Sequence, residues 1–352
     1  IWKTSDVRAD KSNRWFNVLL RRKSRINQRR DTVEFAHLHV HTEYSLLDGS
    51  NKINEYVARV KELGMNSAAI TDHGVMFGCI DFYKAAKAAG IKPILGCEVY
   101  VAPGSRFDRE AGHSEDRYYH LVLLAENNQG YQNLMKIVSK AFIDGFYYKP
   151  RVDIELLEEY HEGIIALSAC LAGEVARSIT KGFYEESKKA ALRYEEIFGK
   201  GNFFLELQDH GIPEQHRVNQ QLVRMSRETG IELVATNDIH YTYSTDAEAH
   251  DILLCVQTGK RLQDEDRMRY EGGQYYVKSV EEMAALFPYA PQALENTHKV
   301  AERCNVEIEF GVTKLPKFDV PEGYTAWEYL NKLCFDGLAE RYSGDMGNWR
   351  SA

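Results

Sequence analysis

From residue 35 onward, short apolar runs alternate with longer segments of helical period. The apolar runs, often β-branched, are FAHLHVHT, NSAAITDHG, KPILGCEVYVA, YYHLVLLAE, GIIALSACLAG, NFFLELQDHG and IELVATNDIHYT. Between them lie NKINEYVARVKELG, CIDFYKAAKAAG, NQGYQNLMKIVSKA, EESKKAALRYEEIFG and PEQHRVNQQLVRMSRETG, several of them closed by Gly as helix ends often are. Seven such units predict a parallel α/β architecture. Because no Gly-rich dinucleotide turn follows the first strand, a barrel is favoured over a doubly wound sheet.

The chain divides by pattern into three parts. Residues 1–34 lack a sustained amphipathic period and predict a flexible basic arm, with a nucleic-acid-binding tail as the functional alternative. Residues 35–307 carry the strand–helix units and predict the barrel domain. Beyond about residue 250 the pattern becomes mainly helical, and residues 308–352 indicate the incomplete start of a further region. The helical segments there are SVEEMAALF, APQALENTHKVAERC and TAWEYLNKLCFDGLAERY.

The composition is that of a globular protein, with 44% hydrophobic and 27% charged residues in a chain of 352. No window approaches the ~18 uninterrupted apolar residues that a membrane helix needs. The N-terminus also lacks the apolar core of a secretory signal. Six scattered cysteines without a CxxC pair predict reduced thiols. These features predict a cytoplasmic protein with no membrane partner.

Charge is unevenly distributed along the chain. Residues 1–34 carry 10 Lys or Arg and 4 Asp or Glu, a net charge of +6, and the remaining 318 residues have a net charge of −14. Affinity for duplex DNA comes largely from basic side chains that neutralise phosphates, so the acidic body is not a general DNA-binding surface. If this body handles phosphate, bound metal ions are expected to supply the missing positive charge.

Residues with metal-binding or acid–base chemistry recur at or just past the ends of the predicted strands. Strand C-termini are where α/β barrels gather their active sites. The recurrence in several strands therefore predicts one site at one rim. The residues are Asp72 and His73 after AAIT, Glu98 after ILGC, Cys170 after IALSA, and Asp238 and His240 after LVATN.

The segment HLHVHTEYSLLDG places histidines at alternate positions before a carboxylate. On a strand, His37, His39 and His41 would point to one face, so His39 and His41 can chelate one ion through neutral imidazole nitrogens. His37 is expected in a supporting or surface position. Asp48 lies beyond, where Gly49 permits a turn back towards the site.

These motifs together strongly resemble the polymerase and histidinol phosphatase (PHP) domain family. They resemble more closely the version of this domain at the N-terminus of bacterial DNA polymerase III alpha subunits. The resemblance runs from about residue 35 into TKLPKFDVPEGYTAWEYLNKLCFDGLAERY. It implies a distorted seven-unit (β/α) barrel with a mainly helical C-terminal extension. That extension would lead into a truncated polymerase (palm and thumb) region at 308–352.

The resemblance also implies up to three divalent ions, as Zn²⁺, Mn²⁺ or Fe²⁺, because imidazole and thiolate suit zinc and carboxylates also admit manganese or iron. From the residues alone, Cys170 could equally be a buried core thiol. His120 precedes its apolar run and would be a surface residue. The implied ligands are His39, His41, Glu98 and Asp238 for the first ion, Glu98, His120 and Cys170 for the second, and Asp48, His73 and His240 for the third.

The implied activity is phosphodiester hydrolysis of the 3′–5′ exonuclease type by a metal-activated water, with no single side chain assigned as base. The expected partners are DNA as a 3′ end or single strand, the remaining domains of a DNA-directed DNA polymerase, and replisome subunits such as the sliding clamp and clamp loader. One alternative is a stand-alone phosphatase acting on a small phosphate monoester. Another is a scaffold that metal ions only stabilise.

Several other residues have an open role in the sequence. Asp72 is expected to orient a neighbouring ligand, with direct ligation as the alternative. The aromatic segment DGFYYKPR at 144–151 either stacks on bases or packs a loop against the body. Residues that could meet substrate or simply lie in a solvated loop are Gln208, Asp209, His210 and His216. The histidines expected to be structural are His113, His161, His250 and His298.

Overall fold

The computed structural model describes residues 34–109 and 117–342. The predicted basic arm therefore lies outside the described residues except for Glu34, and so does His113. The chain divides into two compact units, one ending at Glu307 and the other beginning at Ile308.

Seven strands form a single mixed sheet in the first unit. Their order is β1-β2-β3-β5-β6-β7, and β4 pairs with β2 outside this path. Each predicted strand from NSAAITDHG onward appears at its place, and the predicted α/β class is confirmed. The strands are β1 (Ser67–Ile70), β2 (Lys92–Val101), β3 (Tyr119–Ala125), β4 (Arg151–Val152), β5 (Ile164–Leu167), β6 (Phe203–Leu207) and β7 (Leu233–Ala235).

The sheet is not wholly parallel, which differs from the strand–helix rhythm of the sequence. β3 runs antiparallel to both β2 and β5, with Glu98 opposite Val122 and Leu167 opposite Val122 on the other side. A parallel neighbour needs a crossover, usually a helix. The described residues between β2 and β3 contain no helix, and the chain returns in the opposite direction. The remaining pairs, β1–β2, β5–β6 and β6–β7, are parallel.

Helices flank the strands, and α10 packs against β7. Among the described helices, none has the length and apolarity that crossing a bilayer would require. In the first unit they are α1 (Ile53–Glu62), α2 (Cys79–Ala89), α3 (Asn128–Ile143), α4 (Ile154–Glu159), α5 (Glu174–Thr180), α6 (Tyr184–Phe198), α7 (Pro213–Thr229), α8 (Ala247–Thr258), α9 (Val280–Leu286) and α10 (Pro291–Arg303). The second unit contains α11 (Ala326–Arg341).

The first apolar run, FAHLHVHT, is extended but is not a regular strand. Its backbone bonds to β1 on one side, where Ala69 N–H donates to the His37 carbonyl at 3.1 Å. On the other side, His41 N–H donates to the carbonyl of Ile239, beyond β7, at 2.8 Å. The segment therefore joins the two ends of the sheet and closes it into a distorted barrel.

The side chains of this closing segment divide between the core and the opposite face. Ala36 and Leu38 are fully buried in one apolar cluster with residues of the sheet and of α10. Because successive side chains of an extended segment alternate in direction, burial of the even-numbered residues directs the odd-numbered histidines away from the core. The other members of the cluster are Ala69, Ile94, Val122, Leu124, Ile165, Leu167, Ala169, Phe204, Val234, Val300, Ala301 and Cys304.

Candidate metal centre

The nine residues that the motifs singled out as ligands converge around Glu98. This carboxylate lies inside β2, fully buried, with Oε1 and Oε2 facing different neighbours. Three groups bring their ligand atoms within 4.8 Å of one another, and Glu98 belongs to two of them. The groups are His39, His41, Glu98 and Asp238; Glu98, His120 and Cys170; and His41, His73 and His240.

The first group is the most compact. The Nε2 atoms of His39 and His41 are 3.1 Å apart, and both face Asp238 Oδ1 at 3.2 and 3.1 Å. Glu98 Oε2 lies 2.9 Å from His39 Nε2. Four ligand atoms from three parts of the chain thus point to one small volume, an arrangement that can hold a divalent cation.

The second group explains why His120 could not be placed from its own apolar run. It is the second residue of β3, and because β3 is antiparallel, the start of this strand lies at the rim where the parallel strands end. His120 Nδ1 lies 2.9 Å from Glu98 Oε1 and 3.6 Å from Cys170 Sγ. Burial, and then the charges of Asp238 and Glu98, raise the pKa of the Cys170 thiol well above its ordinary value. A cation would be needed to hold it as thiolate.

The third group differs in one member from the set that the resemblance implied. His41 joins His73 and His240 within the common distance, and Asp48 is not a member of this group. Asp48 nevertheless faces both histidines, with Oδ2 3.0 Å from His73 Nε2 and Oδ1 3.9 Å from His240 Nε2. The rings of His41 and His73 stack with centroids 3.8 Å apart.

Unusual backbone conformations place several of the ligand side chains in the centre. A Cβ added to Gly49 would lie 2.2 Å from the carbonyl oxygen of Thr42, so the turn that carries Asp48 can close only with glycine there. Non-glycine residues with positive φ include Asp238 at 43°, and Ala169 at 60° immediately before Cys170. Such conformations cost about 1–3 kcal/mol each and persist where the surroundings impose them, which is typical of functional sites.

Glu206, which belongs to none of the motifs, supports the first group by contacting the His39 ring on the side away from Glu98 Oε2. Its Oε1 lies 2.7 Å from His39 Nδ1 and also accepts hydrogen bonds from Gln208 and Thr236. This contact holds the His39 ring with Nε2 towards Glu98 and Asp238, as carboxylates commonly do for ligating imidazoles. The available signal was a single acidic residue inside the apolar strand FFLEL.

Asp72 organises the loop beside His41. Its carboxylate accepts hydrogen bonds from the backbone and hydroxyl of Thr42 and from the Ser45 hydroxyl at 2.8 Å. Ser45 Oγ in turn lies 3.1 Å from His41 Nδ1. Asp72 therefore acts on His41 through Ser45.

Charges in the centre are strongly coupled. Burial alone would lower the pKa of His73, but the carboxylates of Glu98 and Asp48 raise it to about 10. Burial, together with the neighbouring His73, lowers the pKa of His41 to about 3. Burial opposes ionisation of Glu98, yet the imidazoles of His120 and His73 hold its pKa well below the ordinary value. Without cations, carboxylates and imidazolium groups pair, and protons occupy positions that a metal ion could take.

Three buried ligand atoms lack a hydrogen bond of good geometry within the described structure. They are Asp48 Oδ1, His73 Nε2 and Asp238 Oδ1. Buried polar atoms are nearly always paired, and leaving one unpaired costs about 1–3 kcal/mol. Two carboxylate oxygens and one imidazole nitrogen without a good hydrogen bond fit a site that binds cations.

The remaining histidines have other partners. His37 is buried with Nε2 2.9 Å from the Lys278 carbonyl, apart from the three groups, and so occupies neither the surface nor the centre. His250 Nε2 lies 2.8 Å from the Asp48 carbonyl and supports the turn that carries this ligand. His298 Nε2 lies 2.6 Å from Glu34 Oε2.

The loop after β6 is less open than its sequence suggested. Gln208, Asp209 and His210 are buried, and His210 Nε2 lies 2.9 Å from the Asn237 carbonyl. His216 is more than half exposed, with Nδ1 3.7 Å from Asp209 Oδ2. Of this set, His216 alone offers a solvent-facing side chain.

Acid is expected to destabilise the protein through His210. Burial lowers the pKa of His210 from 6.5 to about 4. Between these two pH values the imidazole is therefore protonated in the unfolded chain and neutral in the folded chain. The corresponding stability is present above pH 6.5 and is lost as pH falls to about 4, by about 3 kcal/mol. Urea unfolding between these pH values should show a smaller loss in His210→Gln than in the wild type. His161→Gln, at an exposed histidine, should keep the wild-type slope, and equal slopes in all three proteins would contradict the prediction.

Residues 37–210 match the PHP domain family model. The chain is 46% identical over 312 residues to DNA polymerase III subunit alpha of Treponema pallidum (strain Nichols), covering 88% of this chain and 27% of that protein. It is 47% identical over 310 residues to the subunit of the same name from Borreliella burgdorferi, again covering 88% and 27%. Among solved structures, an amidohydrolase from Chromobacterium violaceum is similar with a TM-score of 0.39 and 14% identity, over 58% of this chain and 87% of that one.

The sheet, its rim of convergent ligands and the family match define the class of the first unit, which contains a PHP domain at residues 37–210. Within that class, its similarity is to the N-terminal region of DNA polymerase III alpha subunits, and the predicted resemblance is confirmed. The chain spans about a quarter of the length of these curated relatives.

Proposed function

We propose that the chain is the N-terminal part of a bacterial DNA polymerase III alpha subunit, and that its first unit hydrolyses phosphodiester bonds at the 3′ end of DNA. One observation carries the hydrolase proposal: two imidazole Nε2 atoms and the oxygens of Glu98 and Asp238 converge within 4.8 Å of one another, and buried Asp238 Oδ1 makes no hydrogen bond of good geometry. Such a cluster has little structural use without cations.

Glu98 and the eight residues around it would hold up to three divalent ions in this proposal. His39, His41 and Asp238 would share one with Glu98, and His120 and Cys170 would share a second with it. His73, His240 and Asp48 would hold the third. Zn²⁺ suits the imidazoles and thiolate, and Mn²⁺ or Fe²⁺ suit the carboxylate-rich part.

Divalent ions bound there would neutralise phosphate oxygens and lower the pKa of a water molecule. The protein's own residues hold the ligand side chains in position. Glu98 presents one oxygen to His39 and the other to His73 and His120, so a single side chain contacts a member of each of the three groups. Glu206 fixes the ring of His39. Burial of these groups excludes bulk water and strengthens every charge interaction among them.

The domain assignment extends the same proposal. Residues 35–307 would be the PHP phosphoesterase, residues 308–352 the start of the polymerase region, and residues 1–34 a basic arm. In the second unit, α11 exposes large apolar side chains such as Trp327, at 71%, and Leu330, at 52%, which supports packing within a larger polymerase body. Cytoplasmic location, DNA, and the clamp and clamp loader as replisome partners belong to the whole subunit.

A nuclease assay tests the hydrolase function. The purified chain, supplied with Mn²⁺ or Zn²⁺, is expected to shorten a 5′-labelled single strand from its 3′ end and to leave histidinol phosphate intact. Loss of a partner behind a ligand typically costs about 10–100-fold, so His41→Ala should lower the rate by more than about 100-fold.

The rival functions predict different outcomes. Faster turnover of histidinol phosphate than of DNA would favour a stand-alone phosphatase. Bound metal without hydrolysis of either substrate, together with a loss of folding in His41→Ala, would favour a scaffold. His216→Ala, at an exposed histidine in the neighbouring loop, is the matched control and should retain wild-type activity.

A further inference from the structure

A wide cleft adjoins the candidate metal centre. It encloses about 620 Å³ of space open to solvent, and its wall includes Asp48 and His73. The rest of its lining includes several rings, which we call the aromatic cleft: Phe77, Tyr100, Phe142, Phe146 and Tyr148. A polar centre thus continues directly into an aromatic surface.

Three of these rings are unusually exposed for large apolar side chains. Phe77 and Tyr148 are each 62% exposed, and Phe146 is 51% exposed. Grouped exposed apolar residues commonly mark a binding surface. Tyr148 also has a φ of 61°, a strained conformation for a tyrosine that the segment retains.

Cations lie on the faces of the same rings. The Arg117 guanidinium carbon is 4.2 Å from the centroid of the Tyr148 ring, and Lys149 Nζ is 5.3 Å from that of Tyr100. The whole chain has a net charge of −8, so these positive side chains at the aromatic cleft stand out against a negative overall charge. Rings for stacking beside cations for phosphate are the two elements that bind single-stranded nucleic acid.

We propose that the aromatic cleft binds the base of the 3′-terminal nucleotide of a single DNA strand. The proposal rests on the proposed function, since the strand's terminal phosphodiester would then lie at the Asp48 and His73 side of the cleft. A base stacked in the cleft cannot stay paired with a complementary strand, so a frayed or mismatched end is bound in preference to a paired one. The occupant is a nucleobase rather than a protein side chain, because the cleft leads into the candidate centre and carries Arg117 and Lys149 at its rings.

Binding can be measured separately from hydrolysis. A short single strand with 3′-terminal 2-aminopurine, joined through a phosphorothioate that resists cleavage, is titrated with the full 352-residue chain. Stacking should quench the fluorescence of the terminal base. The double variant Phe77→Ala, Tyr148→Ala should weaken binding by about 10-fold or more, given the usual contribution of aromatic stacking. Phe183→Ala, at a residue 56% exposed but outside the cleft, should bind as the wild type does.

The outcomes separate the two proposals. Quenching that the double variant abolishes, in a chain that hydrolyses no DNA, would retain the cleft and overturn the exonuclease function. Hydrolysis with an unchanged KM in the double variant would overturn the cleft alone. Absence of quenching, or equal quenching of an internal and a terminal 2-aminopurine, would also overturn it and leave the rings to a protein partner. Circular dichroism of each variant shows whether its fold is kept.

Discussion

Glu98→Gln is expected to remove most of the bound metal and to lower phosphodiester hydrolysis by more than about 100-fold. Glutamine keeps the shape of the side chain but loses the charge and one of the two acceptor oxygens. Glu98 is a member of two of the three groups, with Oε2 2.9 Å from His39 and Oε1 2.9 Å from His120, so the change affects both together. No other ligand in the described structure belongs to both of these groups. Glu98 Oε1 also lies 2.8 Å from His73 Nδ1, in the third group.

Elemental analysis and single-strand hydrolysis, measured on the same preparations, check this prediction. The wild type should carry up to three ions per chain, and the variant at most the ion proposed for His73, His240 and Asp48. Glu185→Gln, an exposed glutamate on α6, is the matched control and should keep both metal and activity. Metal content unchanged in Glu98→Gln would contradict the bridging role.

The strands could be predicted from the sequence because their apolar runs are short, β-branched and bounded by turns. The direction of β3 could not. Its run YYHLVLLAE has the same composition as a parallel strand, and only pairing in three dimensions shows that it is reversed. That reversal is why His120, at the beginning of a run, lies with Cys170, which follows the end of one. The shortest elements, β4 with two residues and α4 with six, could not be predicted because they span too few residues to show a period.

Ligands that follow strand ends could be predicted from the sequence. Residues that hold those ligands in place were harder to predict. Glu206 is one acidic residue in a five-residue strand, and nothing in FFLEL tells a buried carboxylate from a surface one. Its role depends on His39, which is 167 positions away in the chain. The three histidines of HLHVH have equal spacing, yet His37 bonds to the Lys278 carbonyl while His39 and His41 face Asp238. Spacing fixes the face of an extended segment and leaves the depth at which each side chain lies undetermined.

Removal of metal is expected to lower the thermal stability of the chain. Asp48 Oδ1 and Asp238 Oδ1 face imidazole nitrogens at 3.9 and 3.1 Å but make no hydrogen bond of good geometry. A buried acceptor that lacks a good hydrogen bond costs about 1–3 kcal/mol, and a bound cation would remove that cost. A ligand present at 1,000 times its dissociation constant stabilises the folded state by about 4 kcal/mol per site. At about 2 °C per kcal/mol for a domain of this size, filling even one site should raise Tm by about 8 °C.

Calorimetry before and after chelation, with metal content measured in parallel, checks the expected shift. Restoring Mn²⁺ or Zn²⁺ should restore Tm, and the size of the recovery ranks the ions. In Glu98→Gln the shift should shrink, because the groups that share this carboxylate no longer hold their ions. If chelation strips the metal and Tm stays within about 1 °C, each ion contributes less than about 1 kcal/mol. The convergence of imidazoles and carboxylates at this rim would then need a physical cause other than cation binding.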